Sequence, residues 1–248
     1  MPILISGISG VRGIINDGFD EEVVEVYTRA FAQLMDKGRI VIAQDSRPSG
    51  AMFKGIVEKT LNQLGCEIID CGICPTPTAQ LMVKDLNARG GIIVTASHNP
   101  IEWNALKFVG DEGLFLDSEE HKQLQAELLE VKEAGPLEAE PSGSVTKLDD
   151  RIERHIENVM ALDLINADAI RELRPKVVID AINGAGSEAL PSFLERLGCE
   201  VFPINCDNDG NFVHTPEPLP ENLMELRSTV SRVGADIGIA TDPDADRL

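Results

Sequence analysis

The sequence predicts an α/β protein built from two related three-layer α/β/α domains, each with a mostly parallel mixed sheet. The first observation is an internal repeat: residues 41–97 and 177–242 each read as strand, helix, strand, helix, strand. The second is that the strand segments are apolar throughout, which is typical of parallel strands covered on both faces. The third is that the first helix of each copy ends at a glycine, Gly65 or Gly198.

The two copies align best at the shared letters L-G-C-E, residues 64–67 and 197–200. Once an insertion over residues 206–218 of the second copy is allowed for, Ser97 and Asp242 take equivalent places, after the last strand of each copy. Open α/β sheets bind ligands outside the carboxyl ends of their strands. We therefore expect the loops at Ser97 and Asp242 to face one cleft.

Helix signals define the remaining elements in chain order. Asp20 is a predicted N-cap of a helix with apolar residues at helical spacing, and a second helix is predicted from Ser118 to Ala134, where Gly135 and Pro136 end it. The proline, glycine, serine and charges of residues 136–147 predict an interdomain linker. A further helix is expected to begin near Leu148. We place the domains at residues 1–141 and 142–248.

Composition excludes several classes of partner. The net charge is −20, from 42 acidic against 22 basic residues, and such a field repels nucleic acid and anionic membranes. No segment has the apolar length of a membrane helix, and the amino terminus lacks the features of a signal peptide. The five cysteines, an odd number without a secretion signal, predict reduced thiols and a cytoplasmic location.

Two short motifs fit alternative sites poorly. Cys71 and Cys74 form a C-x-x-C, but no second pair completes a zinc site and the motif ends a strand instead of opening a helix. Residues 184–189 fit G-x-G-x-x-A, yet Asn205 stands where a dinucleotide site needs an acidic residue. A tight strand-to-helix turn is therefore the favoured interpretation of the glycines.

Ser97 lies in T-A-S-H-N-P, directly after an apolar strand, at a turn that Pro100 sets by disfavouring helix at Asn99. A serine hydroxyl is a weak nucleophile unless a base, a metal or a bound phosphoryl group assists it. His98 and Lys107 could supply charge or protons. Taken alone, the motif fits a turn-forming serine in a strand-end loop better.

Asp242, Asp244 and Asp246 alternate in D-P-D-A-D-R, so several carboxylates can face one cation, and hard oxygen ligands suit Mg²⁺. An EF-hand is excluded because Arg247 stands where that loop needs glycine. A solvated acidic turn remains open. So does a haloacid-dehalogenase arrangement with Asp242 as nucleophile and Asp244 as general acid, although those enzymes carry that motif on their first strand.

Two arginines lie in loops that suit anions or ion pairs. Arg12 is flanked by glycines that let the backbone approach an anion, and its guanidinium can hold phosphate in a fork. Arg47, in D-S-R-P-S-G, is predicted to pair with a carboxylate and brace the cleft.

Together these motifs resemble the α-D-phosphohexomutase superfamily, the phosphoglucomutase, phosphomannomutase and phosphoglucosamine mutase group. The matching segments occur in family order over nearly the whole chain: S-G-I-S-G-V-R-G (6–13), D-S-R-P-S-G (45–50), T-A-S-H-N-P-I-E-W-N-A-L-K (95–107), D-G-N-F-V-H-T-P-E-P-L (209–219) and D-P-D-A-D-R (242–247). Each motif is weak by itself, and five in order are specific.

The resemblance implies a role for each site residue. Ser97 would be the phosphorylated serine, and Asp242, Asp244 and Asp246 would bind Mg²⁺ together with an oxygen of that phosphoserine. His98 and Lys107 would serve in proton transfer and phosphate contacts, and Arg12 and Arg247 would stabilise the phosphoryl group in transfer. The substrate would be a glucose, mannose or glucosamine phosphate, converted through its 1,6-bisphosphate.

The sequence also departs from the family pattern. Gln44, Ile8 and Ala105 replace a common arginine, threonine and glycine. Family members have four domains, and the sugar-selecting G-E-x-S-G loop of the third and the phosphate-binding loop of the fourth are missing. The chain therefore resembles domains 1 and 2 only, cut inside the second. We expect an amino-terminal half without turnover of its own and open to self-association; the alternative is a stand-alone sugar-phosphate-binding or regulatory module.

Overall fold

The computed structural model describes residues 3–248 and contains two sheets flanked by helices. The strands are β1 (Leu4–Gly7), β2 (Gly10–Ile15), β3 (Gly18–Phe19), β4 (Arg39–Gln44), β5 (Glu67–Ile73), β6 (Gly90–Val94), β7 (Trp103–Gly110), β8 (Ser144–Lys147), β9 (Lys176–Asp180), β10 (Glu200–Ile204) and β11 (Ile237–Ala240). The helices are α1 (Glu21–Leu34), α2 (Gly50–Gln63), α3 (Thr76–Asp85), α4 (Ser118–Ala134), α5 (Arg151–Met160), α6 (Ala167–Leu173), α7 (Gly186–Arg196) and α8 (Met224–Val233).

The internal repeat is confirmed by the order of the strands. In the first sheet β4 lies between β6 and β5, and in the second β9 lies between β11 and β10, with every one of these pairs parallel. The first sheet continues β1-β2-β7 beyond β6 through antiparallel pairs, so it is mixed. The second sheet is wholly parallel over the residues that the structure describes.

Each sheet is covered on both faces, which gives the predicted three layers. One face of the first sheet packs against α1, α2 and α4, with Phe31 and Phe108 stacked at 4.9 Å between ring centroids. The other face packs against α3 and α5. In the second domain α7 covers one face and α8 the other. α5 also contacts α7, so it links the helical layers of the two domains.

Two helix predictions are confirmed, and two predicted boundaries differ from those in the structure. The Asp20 carboxylate accepts a hydrogen bond from the Val23 amide at the start of α1, and α4 begins and ends where the sequence predicted. Residues 144–147, predicted as the end of the linker, instead form β8, which pairs with β5 and so belongs to the first sheet. The next helix begins at Arg151 and not near Leu148, because the Leu148 amide is bonded to the Asp70 carbonyl.

Over residues 3–248, no helix combines the length and the apolar character that crossing a membrane would need. All five cysteines carry free thiols, and Cys71 and Cys74 are buried at the carboxyl end of β5.

Candidate functional site

The two strand-end loops meet, as their equivalent places in the repeat predict. Ser97 follows β6 and Asp242 follows β11, and the Ser97 hydroxyl donates a hydrogen bond of 2.7 Å to Oδ2 of Asp242. Both side chains are buried, with Ser97 at 9% exposure and Asp242 at 0%. A potential nucleophile from one domain is therefore in direct contact with a carboxylate from the other.

The Ser97 loop has a strained backbone. Ser97 has φ of 50°, in the left-handed region that costs a non-glycine residue on the order of 1 kcal/mol. Its amide donates to the Thr95 hydroxyl at 3.0 Å, and that hydroxyl donates to Asp45 at 2.6 Å. Such a conformation persists only where the surroundings over-determine it. The Thr95 and Asp45 contacts are part of those surroundings.

Arg47 supplies most of the remaining constraint. Its Nε donates to Asp45 Oδ2 at 3.0 Å, and the two side chains form an ion pair with no exposed surface. Its terminal nitrogens donate to four backbone carbonyls, those of Ser97 (2.5 Å), Asn99 (2.6 Å), Pro100 (2.7 Å) and Trp103 (3.3 Å). The prediction that Arg47 pairs with a carboxylate is confirmed, and the clamp on the serine loop is an addition that spacing alone did not indicate.

The three predicted metal-ligating carboxylates lie together. One oxygen from each of Asp242, Asp244 and Asp246 falls within 4.8 Å of the others. The turn closes because the Ala245 amide donates to the Asp242 carbonyl, and the amides of Asp246 and Arg247 donate to Asp242 Oδ1. The loop thus points its alternating side chains into one small volume.

Lys107 bridges this cluster to the first domain. Its ammonium group donates to Asp244 and to Asp246, at 2.7 Å in each case. Burial disfavours the charged lysine, but the two carboxylates outweigh burial and raise the pKa of Lys107 above its ordinary value. In this structure the two carboxylates therefore favour the ammonium form of Lys107.

The carboxylates themselves differ in protonation. Burial, with the neighbouring Asp244 carboxylate, raises the pKa of Asp242 to about 7. Burial also opposes ionisation of Asp244, yet the adjacent Lys107 ammonium lowers the pKa of Asp244 below its ordinary value. The Thr76 hydroxyl donates to the same carboxylate, while Asp244 Oδ1 is buried without a hydrogen-bond partner among the described residues. That oxygen is open to a cation.

The other predicted catalytic residues are Arg12, Arg247 and His98, the last of which follows Ser97 in its loop. Arg12 lines a cavity of about 130 Å³ with Ser97 and Lys107, and it donates to the Asn99 side chain at 3.4 Å. The Arg247 side chain pairs with Glu217 at 3.0 Å. Burial, with the nearby Arg247 charge, lowers the pKa of His98, so this imidazole is neutral near pH 7.

The glycine-rich segment after β9 supports the loop that carries Asp242, Asp244 and Asp246. A Cβ on Gly184 would lie 2.6 Å from the Pro243 carbonyl oxygen, and the Ala185 amide donates to that same oxygen. A Cβ on Gly186 would lie 2.9 Å from the Thr241 hydroxyl. Close approach of two loops therefore accounts for this G-x-G spacing, in keeping with the interpretation as a tight turn.

Sequence reasoning missed four residues that shape the site: Asp45, Thr76, Thr95 and Glu217. Asp45 and Glu217 lie inside the motifs that carried the resemblance. Those motifs identified the segments that form the site, but not which side chains these two residues contact. Thr95 also lies inside a motif, at the start of T-A-S-H-N-P. Thr76 had no signal, because a threonine that bonds a distant carboxylate looks like any helix-start threonine.

Comparison with known proteins matches both domains to one family. Residues 4–135 match its model for phosphoglucomutase/phosphomannomutase α/β/α domain I, and residues 153–248 match α/β/α domain II. A phosphoglucomutase/phosphomannomutase of Thermococcus kodakarensis is 38% identical over 97% of this chain and 53% of its own length. A phosphoglucosamine/phosphogalactosamine mutase of Sulfurisphaera tokodaii is 33% identical, over 97% and 53%.

The structural comparison agrees. A crystal structure from Thermus thermophilus, whose protein carries the provisional name phosphomannomutase, superposes with a TM-score of 0.84 at 30% identity. The superposition covers 100% of this chain and 56% of that one. The chain thus spans about half the length of the curated relatives it matches.

Replacing Arg47 by methionine should destabilise the protein strongly. Removing one partner of a buried ion pair costs about 3–5 kcal/mol, because Asp45 is left buried without its opposite charge and the four carbonyls lose the donors of Arg47. Urea unfolding followed by circular dichroism measures the loss. Arg89→Met is the matched control, since Arg89 is half exposed and its loss should cost less than about 1 kcal/mol. Equal losses in the two variants would contradict the clamp.

His214 should make stability depend on pH. The hydrogen bond to Asp180 raises the pKa of His214 above its ordinary 6.5, although burial opposes the shift. A group whose pKa is raised on folding stabilises the folded state at low pH, and that contribution is lost as pH rises through the folded pKa. The unfolding free energy of wild type minus that of His214→Gln should therefore be largest below pH 6.5 and fall above it. In an Asp180→Asn background the dependence should vanish; if it persists there, the pairing is wrong.

Proposed function

This chain belongs to the phosphoglucomutase/phosphomannomutase family, and we propose that it carries the phosphoryl-transfer site of a phosphohexomutase, with Ser97 as the residue that holds the phosphoryl group. The observation that carries the proposal is the 2.7 Å contact between Ser97 Oγ and Asp242 Oδ2, which joins the two strand-end loops. A nucleophile beside a carboxylate cluster is the arrangement that metal-assisted phosphoryl transfer needs.

The donor set fits Mg²⁺. All three side chains of the cluster offer carboxylate oxygens, the hard ligands that Mg²⁺ prefers, and the buried Asp244 Oδ1 has no partner in the described part of the chain. We propose that Asp242, Asp244 and Asp246, with an oxygen of phosphorylated Ser97, hold the ion. When bound, Mg²⁺ supplies positive charge that offsets the negative charge of the phosphoryl oxygens.

Lys107 acts with the same carboxylates. In this structure its ammonium neutralises Asp244 and Asp246 at 2.7 Å. We propose that these carboxylates exchange Lys107 for the metal, which frees the ammonium to donate to the phosphoryl group in the adjoining cavity. There the ammonium would donate hydrogen bonds and positive charge to the phosphoryl oxygens.

The remaining groups of the site are two arginines, which can offset phosphoryl charge, and one neutral histidine. A phosphoserine adds about −1.5 to −2 charge, which an acidic protein must neutralise locally. Arg12 lines the cavity beside Ser97, and we propose that its guanidinium binds phosphoryl oxygens there. Arg247 lies close enough to His98 for its charge to help lower the pKa of that imidazole, and a neutral His98 suits proton exchange with a sugar hydroxyl.

The proposed reaction moves one phosphoryl group. The Ser97 Oγ–phosphorus bond breaks as an oxygen of a hexose monophosphate bonds to that phosphorus, and the hydroxyl proton of the sugar leaves to a base. The product is a hexose 1,6-bisphosphate, and reversal with its other phosphate returns a phosphoryl group to Ser97. Positioning and charge neutralisation by the protein account for most of such catalysis.

The proposed substrate class is taken from the names of the relatives. Their names specify glucose, mannose, glucosamine and galactosamine phosphates, so a hexose phosphate is the proposed substrate, without a choice among these sugars. The relatives are about twice as long as this chain. Phosphorylation of Ser97 is therefore the reaction to measure in this chain.

Incubation with glucose 1,6-bisphosphate and Mg²⁺ should add about 80 Da to the chain, the mass of one phosphoryl group. Peptide mass spectrometry should place it on Ser97. Ser97→Ala should stay unmodified, whereas Ser144→Ala, an exposed serine in β8, should react as wild type does. EDTA should abolish the reaction. Phosphate on Asp242 instead would favour the dehalogenase-like alternative, and no modification of wild type would refute the proposal.

A further inference from the structure

Residues 207–214, here termed the covering loop, follow β10 and form the main part of the insertion that distinguishes the second repeat from the first. The proposed phosphoryl transfer uses none of these residues. Asn183 anchors the loop to the second domain: its side-chain oxygen accepts from the Asp207 amide at 2.9 Å, and its side-chain nitrogen donates to the Asn211 carbonyl at 3.0 Å. The Gly210 amide donates to the Asn183 carbonyl.

The far end of the covering loop is anchored as well. The His214 ring bonds Asp180 at 3.2 Å, and Asp180 is buried at the carboxyl end of β9. Its other carboxylate oxygen accepts from the Ile182 amide and the Asn205 side chain. Both ends are thus held by residues of the second domain, which leaves the middle of the loop to project from a fixed base.

That middle lies against the first domain. Gly210 has φ of 71°, and a Cβ there would collide with the Ser46 carbonyl oxygen, so no larger residue fits without displacing the loop. Two residues on, the Phe212 ring lies under the Arg47 guanidinium, with 5.1 Å from Arg47 Cζ to the ring centroid. The contact therefore falls on the group that clamps the Ser97 loop.

The chemistry of the guanidinium explains why an aromatic ring suits this place. The five hydrogen bonds of Arg47 side-chain nitrogens to Asp45 and four carbonyls use its edges. Its face has no hydrogen to donate and is poorly hydrated, and an aromatic face attracts it electrostatically. A ring there also keeps water from competing for the carbonyls that Arg47 holds.

We propose that Phe212 is a positioning residue: from the second domain it covers the Arg47 guanidinium and thereby holds the Ser97 loop in its left-handed conformation. The consequence for phosphoryl transfer rests on the function proposed above. The consequence for the loop does not, because it concerns only contacts between Phe212, Arg47 and the carbonyls of residues 97–103.

Amide hydrogen exchange of residues 95–103, measured by mass spectrometry, tests the positioning role. Phe212→Leu keeps an apolar side chain without a π-face, and it should speed exchange in this segment roughly three- to thirtyfold, the range expected for loss of a partly or fully desolvated cation–π contact. Phe212→Tyr keeps the face and should exchange as wild type does. Val213→Ala, an exposed neighbour on the same loop, is the matched control and should change nothing.

A second variant tests whether faster exchange in Phe212→Leu comes from loss of the covering contact and not from the leucine side chain itself. Gly210→Val leaves the ring in the sequence but should lift the covering loop from Ser46, and it should speed exchange of residues 95–103 as Phe212→Leu does. The β9 amides serve as an internal reference for global unfolding and should not change. Unchanged exchange in Phe212→Leu, equal acceleration in Phe212→Tyr, or equal acceleration in β9 would each overturn the proposal.

The rate of Ser97 phosphorylation provides a second test of the positioning role of Phe212. With glucose 1,6-bisphosphate as the probe, Phe212→Leu should lower the maximal rate of Ser97 phosphorylation about tenfold, at the middle of the cation–π range, and leave the half-saturating concentration unchanged. A rise in that concentration with an unchanged maximal rate would contradict a positioning role. If wild type accepts no phosphoryl group, the proposed function fails, while the exchange measurements still decide the role of Phe212.

Discussion

The buried guanidinium of Arg47 is the constraint on which the candidate site depends. It brings together Asp45 and four carbonyls of one short loop, at distances from 2.5 to 3.3 Å. A left-handed serine would otherwise relax, and its hydroxyl would leave the Asp242 carboxylate. Only arginine offers donors in a planar fork that can reach so many acceptors at once. The geometry of Ser97, the proposed nucleophile, is therefore set by a residue that has no part in the proposed phosphoryl transfer.

The second constraint is electrostatic. Three carboxylates lie within 4.8 Å of one another in a protein of net charge −20, and such a cluster repels itself unless cations or protons compensate it. Two compensations are visible: Lys107 pairs with Asp244 and Asp246, and the pKa of Asp242 rises to about 7. In the function proposed above, a bound divalent cation would take over both compensations.

The internal repeat made much of the fold and of the candidate site predictable from the sequence. The match of Ser97 with Asp242 predicted two facing strand-end loops, and the order of β6-β4-β5 and β11-β9-β10 confirms the sister sheets. What sequence could not show were contacts between distant segments. Thr76 bonding Asp244 and Phe212 covering Arg47 depend on how the two domains pack, which no local pattern encodes. β8 was missed because its short, exposed segment has no apolar pattern, and pairing with β5 alone makes it a strand.

In the function proposed above, Ser97 and the three aspartates form one site. The ³¹P NMR signal of chain phosphorylated on Ser97, followed during titration with Mn²⁺, tests this, because Mn²⁺ shares the oxygen-ligand preference of Mg²⁺. Substoichiometric Mn²⁺ should broaden the phosphoserine resonance in the wild type, and Asp244→Asn should require far more Mn²⁺ for the same effect. A resonance that stays sharp while the aspartates bind the ion would contradict a shared site.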